Sequence, residues 1–438
     1  MANSYLSFTQ AAGTSRRKFT YSVWMKRSSI DTSGNYNSGF FNCWSDANNR
    51  LAAYFYDNKL YLYGLSGGSA NISVRTNRLF RDTSAWYHIV IAVDTTQSTA
   101  ADRIKFYING VQETSLDQTT YPAQDHDLPS VGVNAKAIEV GRVNFGDQST
   151  YYYMDGYLSH VAFVDGTALT PTSFGETDST SGIWKFKSPS GITWGTNGVH
   201  LKFENSGALG TDSSGQSNTY TVNGNLKQAI DTPSNVYATW NRLDTNSNAT
   251  LSNGNTTFAT SSNNSYEPGK CTLGFSSGKW YVEHKLTSTI GYALLMGIYK
   301  TNLNGQDQTS MDSGRYVYNC SNGSILSTSG GTLQSGLATL TNGDILGIAV
   351  DCDNGTIDFY KNGSQVGTTV TNSEISSNEW TFGSQPRLST TVSSNFGNGF
   401  FGTTAVASAG SNGNGSIFEY DVPSGYYALN TKNINTYG

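Results

Sequence analysis

Charge is scarce in this chain. Asp, Glu, Lys and Arg make up 13% of its 438 residues, against about a quarter in an ordinary globular protein. The net charge of −5 favours no polyanionic partner. Arg16-Arg17-Lys18 is too short for a nucleic-acid surface and reads as the solvated edge of a strand, so no nucleic acid is expected. No apolar run approaches the roughly 20 residues needed to cross a bilayer, so no membrane insertion is expected. The first residues, Met1 to Thr9, lack the basic and apolar regions of a secretory signal, which predicts assembly in a cytoplasm. Cysteines stand only at positions 43, 271, 320 and 352, without metal-ligand spacing. They are expected to be free, buried thiols.

Catalytic signatures are missing too. Gly-x-Ser-x-Gly does not occur, and His88, His126, His160, His200 and His284 have no partners nearby in sequence. Glycoside hydrolysis needs two facing carboxylates, and a Glu-x-Asp-x-Glu run would put them on one strand face. No such run is present. Glu139 stands alone, and Glu283 lies between Val and His on what alternation makes an outer face. The expectation is a non-enzyme.

Polarity comes from Ser, Thr, Asn and 47 Gly, accompanied by 27 Tyr, 20 Phe and 8 Trp. β-branched and aromatic residues among many turn formers predict an all-β chain, and no sustained helical stripe competes. One hairpin is written twice. His88-Ile-Val-Ile-Ala-Val-Asp94 precedes Ile104-Lys-Phe-Tyr-Ile-Asn-Gly110, and Ile345-Leu-Gly-Ile-Ala-Val-Asp351 precedes Ile357-Asp-Phe-Tyr-Lys-Asn-Gly363. Asn-Gly after an alternating run is the strongest short-range hairpin signal. Asp351-Cys-Asp-Asn-Gly355 is a turn and not a calcium hand, because Gly is fifth and position twelve is Asn362. The repeat predicts two antiparallel β-sandwiches, of jelly-roll type, in tandem. We place them at residues 1–230 and 231–438, the Gly/Ser/Asn/Thr-rich stretch 205–250 containing the join.

Sugar sites combine an aromatic platform with Asn/Asp side chains, since a ring stacks on the C–H face while amides and carboxylates bond the hydroxyls. Two loop-like stretches have that composition: Trp44-Ser-Asp-Ala-Asn-Asn49 and Phe145-Gly-Asp-Gln-Ser-Thr-Tyr-Tyr-Tyr153. The candidate glycan-binding residues are therefore Trp44, Asp46, Asn48, Asp147, Tyr151 and Tyr152. The competing reading has these aromatics cap the sandwich or meet a neighbouring subunit. The loop Thr95–Asp102, which differs between the two hairpin copies, is a further place to look for function.

Tyr21-Ser-Val-Trp-Met-Lys26, Trp86 to Asp94, Ile104 to Gly110 and Asp155-Gly-Tyr-Leu158 resemble a laminin-G-like, concanavalin A-like jelly roll. Gly278-Lys-Trp-Tyr-Val-Glu283, Gly343 to Asp351, Ile357 to Gly363 and Asn395-Phe-Gly397 resemble a SPRY domain. The combination, with Phe163 to Glu176 and Pro423 to Leu429, is similar to virion structural proteins of tailed, marine-type bacteriophages. That resemblance implies a fibre, adhesin or decoration component on the virion surface, contacting host-surface glycans. Its partners would be other virion proteins and further copies of itself, a trimer by analogy with fibres. It implies no cofactor except calcium at a sandwich rim, where Asp94 and Asp165 are the candidate ligands. The alternatives are a purely structural decoration protein and a polysaccharide depolymerase.

Overall fold

The computed structural model describes residues 4–30, 36–145, 151–328 and 331–438. The chain divides into two compact units, residues 1–228 and 229–438. Both are antiparallel β-sandwiches, the architecture expected from the alternation.

In the first unit, strands being numbered along the chain, one sheet runs β10 (Leu116–Thr120), β6 (Ser69–Leu79), β5 (Lys59–Ser66), β4 (Asn49–Tyr56), β3 (Tyr36–Asp46), β11 (Ala137–Val140), β1 (Tyr5–Thr9), β18 (Thr221–Asn223). The facing sheet runs β17 (Val199–Leu201), β14 (Gly156–Asp165), β2 (Lys18–Arg27), β7 (Tyr87–Asp94), β8 (Ile104–Ile108), β9 (Val111–Glu113). Two hairpins complete the unit, β12 (Arg142–Asn144) with β13 (Tyr151–Tyr153) and β15 (Gly175–Thr177) with β16 (Trp184–Phe186). Alternation decides what is inside. Tyr21, Val23, Met25, Ile89, Ile91, Val93 and Phe106 face Phe41, Cys43, Leu51, Phe55, Leu60 and Leu62 across one core. Each large apolar side chain so buried contributes about 1.5–3 kcal/mol.

The second unit repeats the plan. One sheet runs β19 (Trp240–Thr245), β22 (Gly269–Cys271), β31 (Trp380–Pro386), β24 (Leu294–Lys300), β25 (Arg315–Asn319), β26 (Ser324–Leu326), β27 (Thr332–Gln334). The other runs β20 (Thr250–Ser252), β21 (Thr257–Ala259), β32 (Thr391–Asn395), β23 (Lys279–Leu286), β28 (Ile345–Asp351), β29 (Thr356–Lys361), β30 (Ser364–Thr371), with β35 (Tyr427–Ala428) parallel to β23. A small hairpin, β33 (Phe400–Phe401) with β34 (Thr404–Ala405), stands apart. Trp280, Val282, Leu346, Ile348, Val350, Ile357 and Phe359 pack with Met296, Ile298, Tyr316, Trp380 and Phe382. Part of the Gly/Ser/Asn/Thr-rich stretch 205–250 is ordered into β18, β19 and β20.

The two written hairpins fold alike. Asn109 and Gly110 have φ of 48° and 83°, Asn362 and Gly363 49° and 80°, the left-handed pair that a type I′ turn requires. All four cysteines are buried and free, and burial pushes their thiols up. Among the described residues no helix is long and apolar enough to cross a membrane.

Candidate ligand-binding face of the first unit

The outer face of the eight-stranded sheet follows from the same alternation. Where Leu51, Ala53, Phe55, Leu60 and Leu62 point inward, Ala52, Tyr54, Tyr61 and Tyr63 point outward. Register aligns Asn42, Ala52, Tyr63 and Ser73 in one row and Tyr54, Tyr61 and Arg75 in the next. The result is an aromatic cluster in which Tyr54 and Tyr61 are buried and Tyr63 is half-buried. Tyr54 and Tyr61 lie 5.2 Å apart, Tyr61 and Tyr63 5.7 Å, and Phe145 meets Tyr54 edge-on at 4.7 Å. Tyr61 and Ser73 both donate to Gln118 Oε1, at 2.7 and 2.5 Å.

At one end of this face the β12–β13 hairpin packs against β3 and β4. Tyr152 lies 5.3 Å from Phe145. Tyr151 is occupied differently. The Arg142 guanidinium sits 3.3 Å from the Tyr5 ring centroid and 4.2 Å from that of Tyr151, and it pairs with Glu139. Glu139 also accepts from Asn42 Nδ2 at 2.9 Å, which commits it to holding this end of the face together.

At the other end stands Trp44. It is half-buried, and among the described residues no ring stacks on it and its indole N–H has no partner. Asp46 holds the β3–β4 turn. Its carboxylate accepts from the Asn48 N–H at 2.9 Å and from Asn49 Nδ2 at 3.0 and 3.1 Å, and the Asn49 amide, with the Asn48 N–H, lowers its pKa. Asn48 is exposed, and its amide has no hydrogen-bond partner among the described residues.

Trp44 on β3 and Asn48 in the β3–β4 turn thus lie toward one end of the face and Tyr151 and Tyr152 toward the other, so the four do not form one cluster. Tyr152 crosses β3 at Gly39, where an added Cβ would meet the Tyr152 carbonyl at 2.7 Å. Trp44 lies five positions beyond Gly39, about 17 Å along the strand. Asp147 lies outside the described residues. Tyr61, Tyr63 and Arg142 were missed from sequence. A signal existed: Tyr54-x-Tyr56 and Tyr61-x-Tyr63 flank the Asp57-Asn58 turn at period two, opposite the apolar positions.

Asp94 and Asp165 end β7 and β14, the two strands that flank β2 in the six-stranded sheet. Asp94 accepts from Thr96 N, Thr96 Oγ1 and Gln97 Nε2 at 3.0, 2.6 and 2.8 Å and pairs with Lys18 at 3.2 Å. Asp165, buried, accepts from Thr14 N at 2.8 Å and Asn197 N at 3.1 Å. Both carboxylates therefore serve the turns around them. No group of three or more His, Cys, Asp or Glu suited to a metal occurs among the described residues. The Thr95–Asp102 loop is tied to residues 122–126: Arg103 donates to the carbonyls of Gln97, Ser98 and Pro122, each at 2.8 Å, and Thr95 Oγ1 to that of His126 at 2.8 Å.

Two titratable groups are buried against the outer faces of the paired sheets. His88 accepts from Trp184 Nε1 at 2.9 Å through Nδ1, so Nε2 carries the proton and donates to Ser22 Oγ at 2.9 Å. Burial lowers its pKa to about 3, as it does for His284, while His160 and His200 fall to about 4. Glu283 is on the outer face as expected but is not exposed. The segment around residues 407–422 covers it, and Glu283 accepts from the N–H groups of Glu419 and Tyr420 at 2.8 and 2.9 Å. Burial raises it to about 7, against the pull of those two donors.

Residues 1–173 match the family described as the concanavalin A-like lectin/glucanases superfamily, and residues 265–378 match the SPRY domain. No curated protein matches the chain. Among solved structures, the SPRY domain of human HERC1 is 16% identical, with 35% of this chain and 96% of that chain covered and a TM-score of 0.30. The TRIM65 PSpry domain is 12% identical over 36% of this chain and 89% of that one, TM-score 0.30. Stonustoxin is 16% identical over 36% of this chain and 27% of that one, TM-score 0.30. The first unit is laminin-G-like and concanavalin A-like, the second carries a SPRY-like domain, and both fit a carbohydrate- or protein-binding role.

Proposed function

We propose that this is a non-catalytic adhesin or fibre component displayed on a tailed-phage particle, and that the first unit binds host-surface glycan on the outer face of its eight-stranded sheet. The observation that carries the glycan reading is Trp44: a half-buried indole on which no ring stacks and whose N–H has no partner among the described residues, four positions before the exposed Asn48. Tyr54 and Tyr61 are buried, but the half-buried Tyr63 and Tyr152 share the face with Trp44, which suits an extended oligosaccharide better than a single sugar. The virion placement rests on the resemblance of the whole chain, and display in many copies would multiply weak single sites. Glu139 and Glu283, both committed to structural hydrogen bonds, favour binding over hydrolysis.

A glycan array probed with the intact chain and with Trp44→Ala tests the site. A stack of about 1 kcal/mol gives a roughly fivefold loss per site, and the same substitution in the particle lowers host adsorption. Absence of glycan binding, or equal binding by the variant, overturns the reading. Reducing-sugar release from host polysaccharide would instead support a depolymerase.

A further inference from the structure

The two histidines on neighbouring strands β14 and β17 have no role in the face described above. Register pairs Ala162 with His200, and β14 slips register against β2 between Ser159 and Ala162. His160 sits in that irregularity with φ of +47°, a left-handed conformation uncommon outside glycine. Bulges of this kind re-aim a side chain, and here the aim is toward His200: the ring centroids are 5.6 Å apart at 35°. Each ring is clamped by an aromatic neighbour. Phe186 stacks on His160 at 3.6 Å and 12°, and Trp194 stacks on His200 at 5.8 Å and 14°. His160 Nδ1 and His200 Nε2 are both buried with no hydrogen-bond partner among the described residues. Buried polar atoms without partners are rare in folded proteins and call for a ligand, water or ion.

The spacing fits an ion. Two imidazole nitrogens at about 2.0–2.1 Å from one metal, each with its ring centroid about 1.1–1.2 Å behind it, put the centroids about 5.2–5.6 Å apart for angles of about 109–122°. The nearby charges leave the ligand set purely nitrogenous. Asp212 spends its carboxylate on His200 N, Ser214 N, Ser214 Oγ and Asn218 N at 2.8–2.9 Å. Lys202 reaches Glu204 at 3.9 Å. Imidazole ligands without carboxylate select borderline transition ions over calcium or magnesium.

We propose that His160 and His200 form a two-histidine site for a divalent transition ion of the zinc, copper or nickel class, with water completing the coordination. The site bridges β14 and β17 and locks the β15–β16 hairpin through Phe186.

The test uses the intact, untagged chain freed of metal with a chelator. Calorimetric titration with Zn²⁺ is expected to give one site per chain, and Ca²⁺ and Mg²⁺ none. His200→Phe keeps the stacking on Trp194, and His160→Asn tolerates the left-handed backbone. Each is expected to weaken Zn²⁺ binding at least tenfold, while His126→Gln leaves it unchanged. Nitrogen-15 imidazole NMR of the wild-type chain does not depend on the variants folding. Zn²⁺ should shift His160 Nδ1 and His200 Nε2 and leave His88, His126 and His284 in place. No Zn²⁺ site in the wild type, undiminished binding by both variants, or shifts confined to other histidines overturns the proposal.

Discussion

The two units build the same three-stranded meander and close it over differently. In β2–β7–β8, Lys18 stands opposite Asp94, Val93 opposite Ile104 and Ile91 opposite Phe106. In β23–β28–β29, Lys279 stands opposite Asp351, Val350 opposite Ile357 and Ile348 opposite Phe359. The lysines pair with those aspartates at 3.2 and 2.8 Å. Even the turn clamp recurs. Asn109 takes the His88 N–H on Oδ1 at 2.7 Å, and Asn362 takes that of Ile345 at 2.8 Å. The outer faces diverge. Four residues after the lysine stands Ser22 in one copy and Glu283 in the other. The first cover is apolar: Phe174, Leu169, Ile192 and Trp194 lie over Val90, Ala162 and Val164. The second adds a carboxylate that grips two backbone N–H groups of its strap. A shared inner face thus fixes the fold, while the outer face is free to vary.

The largest expected effect breaks this difference. Glu283→Leu removes the acceptor of two part-buried N–H groups, each costing up to about 1–3 kcal/mol when left unpaired. Ser22→Ala orphans one donor, His88 Nε2, at about half that total. Amide hydrogen exchange by peptide should show 407–422 exchanging much faster in Glu283→Leu. Peptides from 166–198 should stay protected in Ser22→Ala, because apolar contacts and Trp184 hold that cover. Equal release of both covers would mean that the carboxylate is not the strap's anchor.

A smaller effect comes from protons. His88, His160 and His200 lie well below the usual histidine value, so the folded first unit binds fewer protons than its unfolded chain below pH 6.5. Their contribution is present above that pH and lost as pH falls. Asp155, raised to about 6 by burial, opposes with one proton. The net loss between pH 6 and 5 is about 1–3 kcal/mol, after discounting for partial exposure. In the second unit the proton held by Glu283 offsets the one refused by His284, so stability changes little over that range. It then falls as pH rises through about 7. Denaturant unfolding followed by exchange in each unit at pH 5, 6 and 8 checks the contrast. Glu283→Gln should make the second unit acid-sensitive like the first, and an unchanged profile would remove Glu283 from the account.

The sandwiches were legible because a buried sheet face imposes period two. Tyr21, Val23 and Met25, or Trp280, Val282 and Leu286, announce themselves in any order of reading. The covers were not legible. Residues 166–198 and 407–422 have no period, and what they bury depends on where they cross the sheet. Glu283 shows the consequence: alternation put it on the outer face, but only the fold reveals a strap above it. The candidate site divides the same way. Trp44 and Asn48 were found from composition in one short stretch, which the structure divides between the end of β3 and the β3–β4 turn, whereas the Tyr61–Tyr63 cluster needs strand register to unite residues from five strands.

The smallest effect tests sameness. Gly110 and Gly363 are both left-handed, at about the cost of 1 kcal/mol for an L side chain, and each lies beneath an aromatic ring. A Cβ at Gly110 would come within 2.5 Å of Trp184, and one at Gly363 within 2.7 Å of Tyr420. Trp184 belongs to the short β15–β16 hairpin and Tyr420 to the strap gripped by Glu283, so the two rings come from unrelated segments. Gly110→Ala and Gly363→Ala should therefore destabilise their own units by equal amounts, about 1–2 kcal/mol by denaturant midpoint, if the turn conformation dominates. A clearly larger loss at Gly363 would mean that the ring above it cannot yield because Glu283 pins its backbone. The covers, and not the turns, would then set the stability of the second meander.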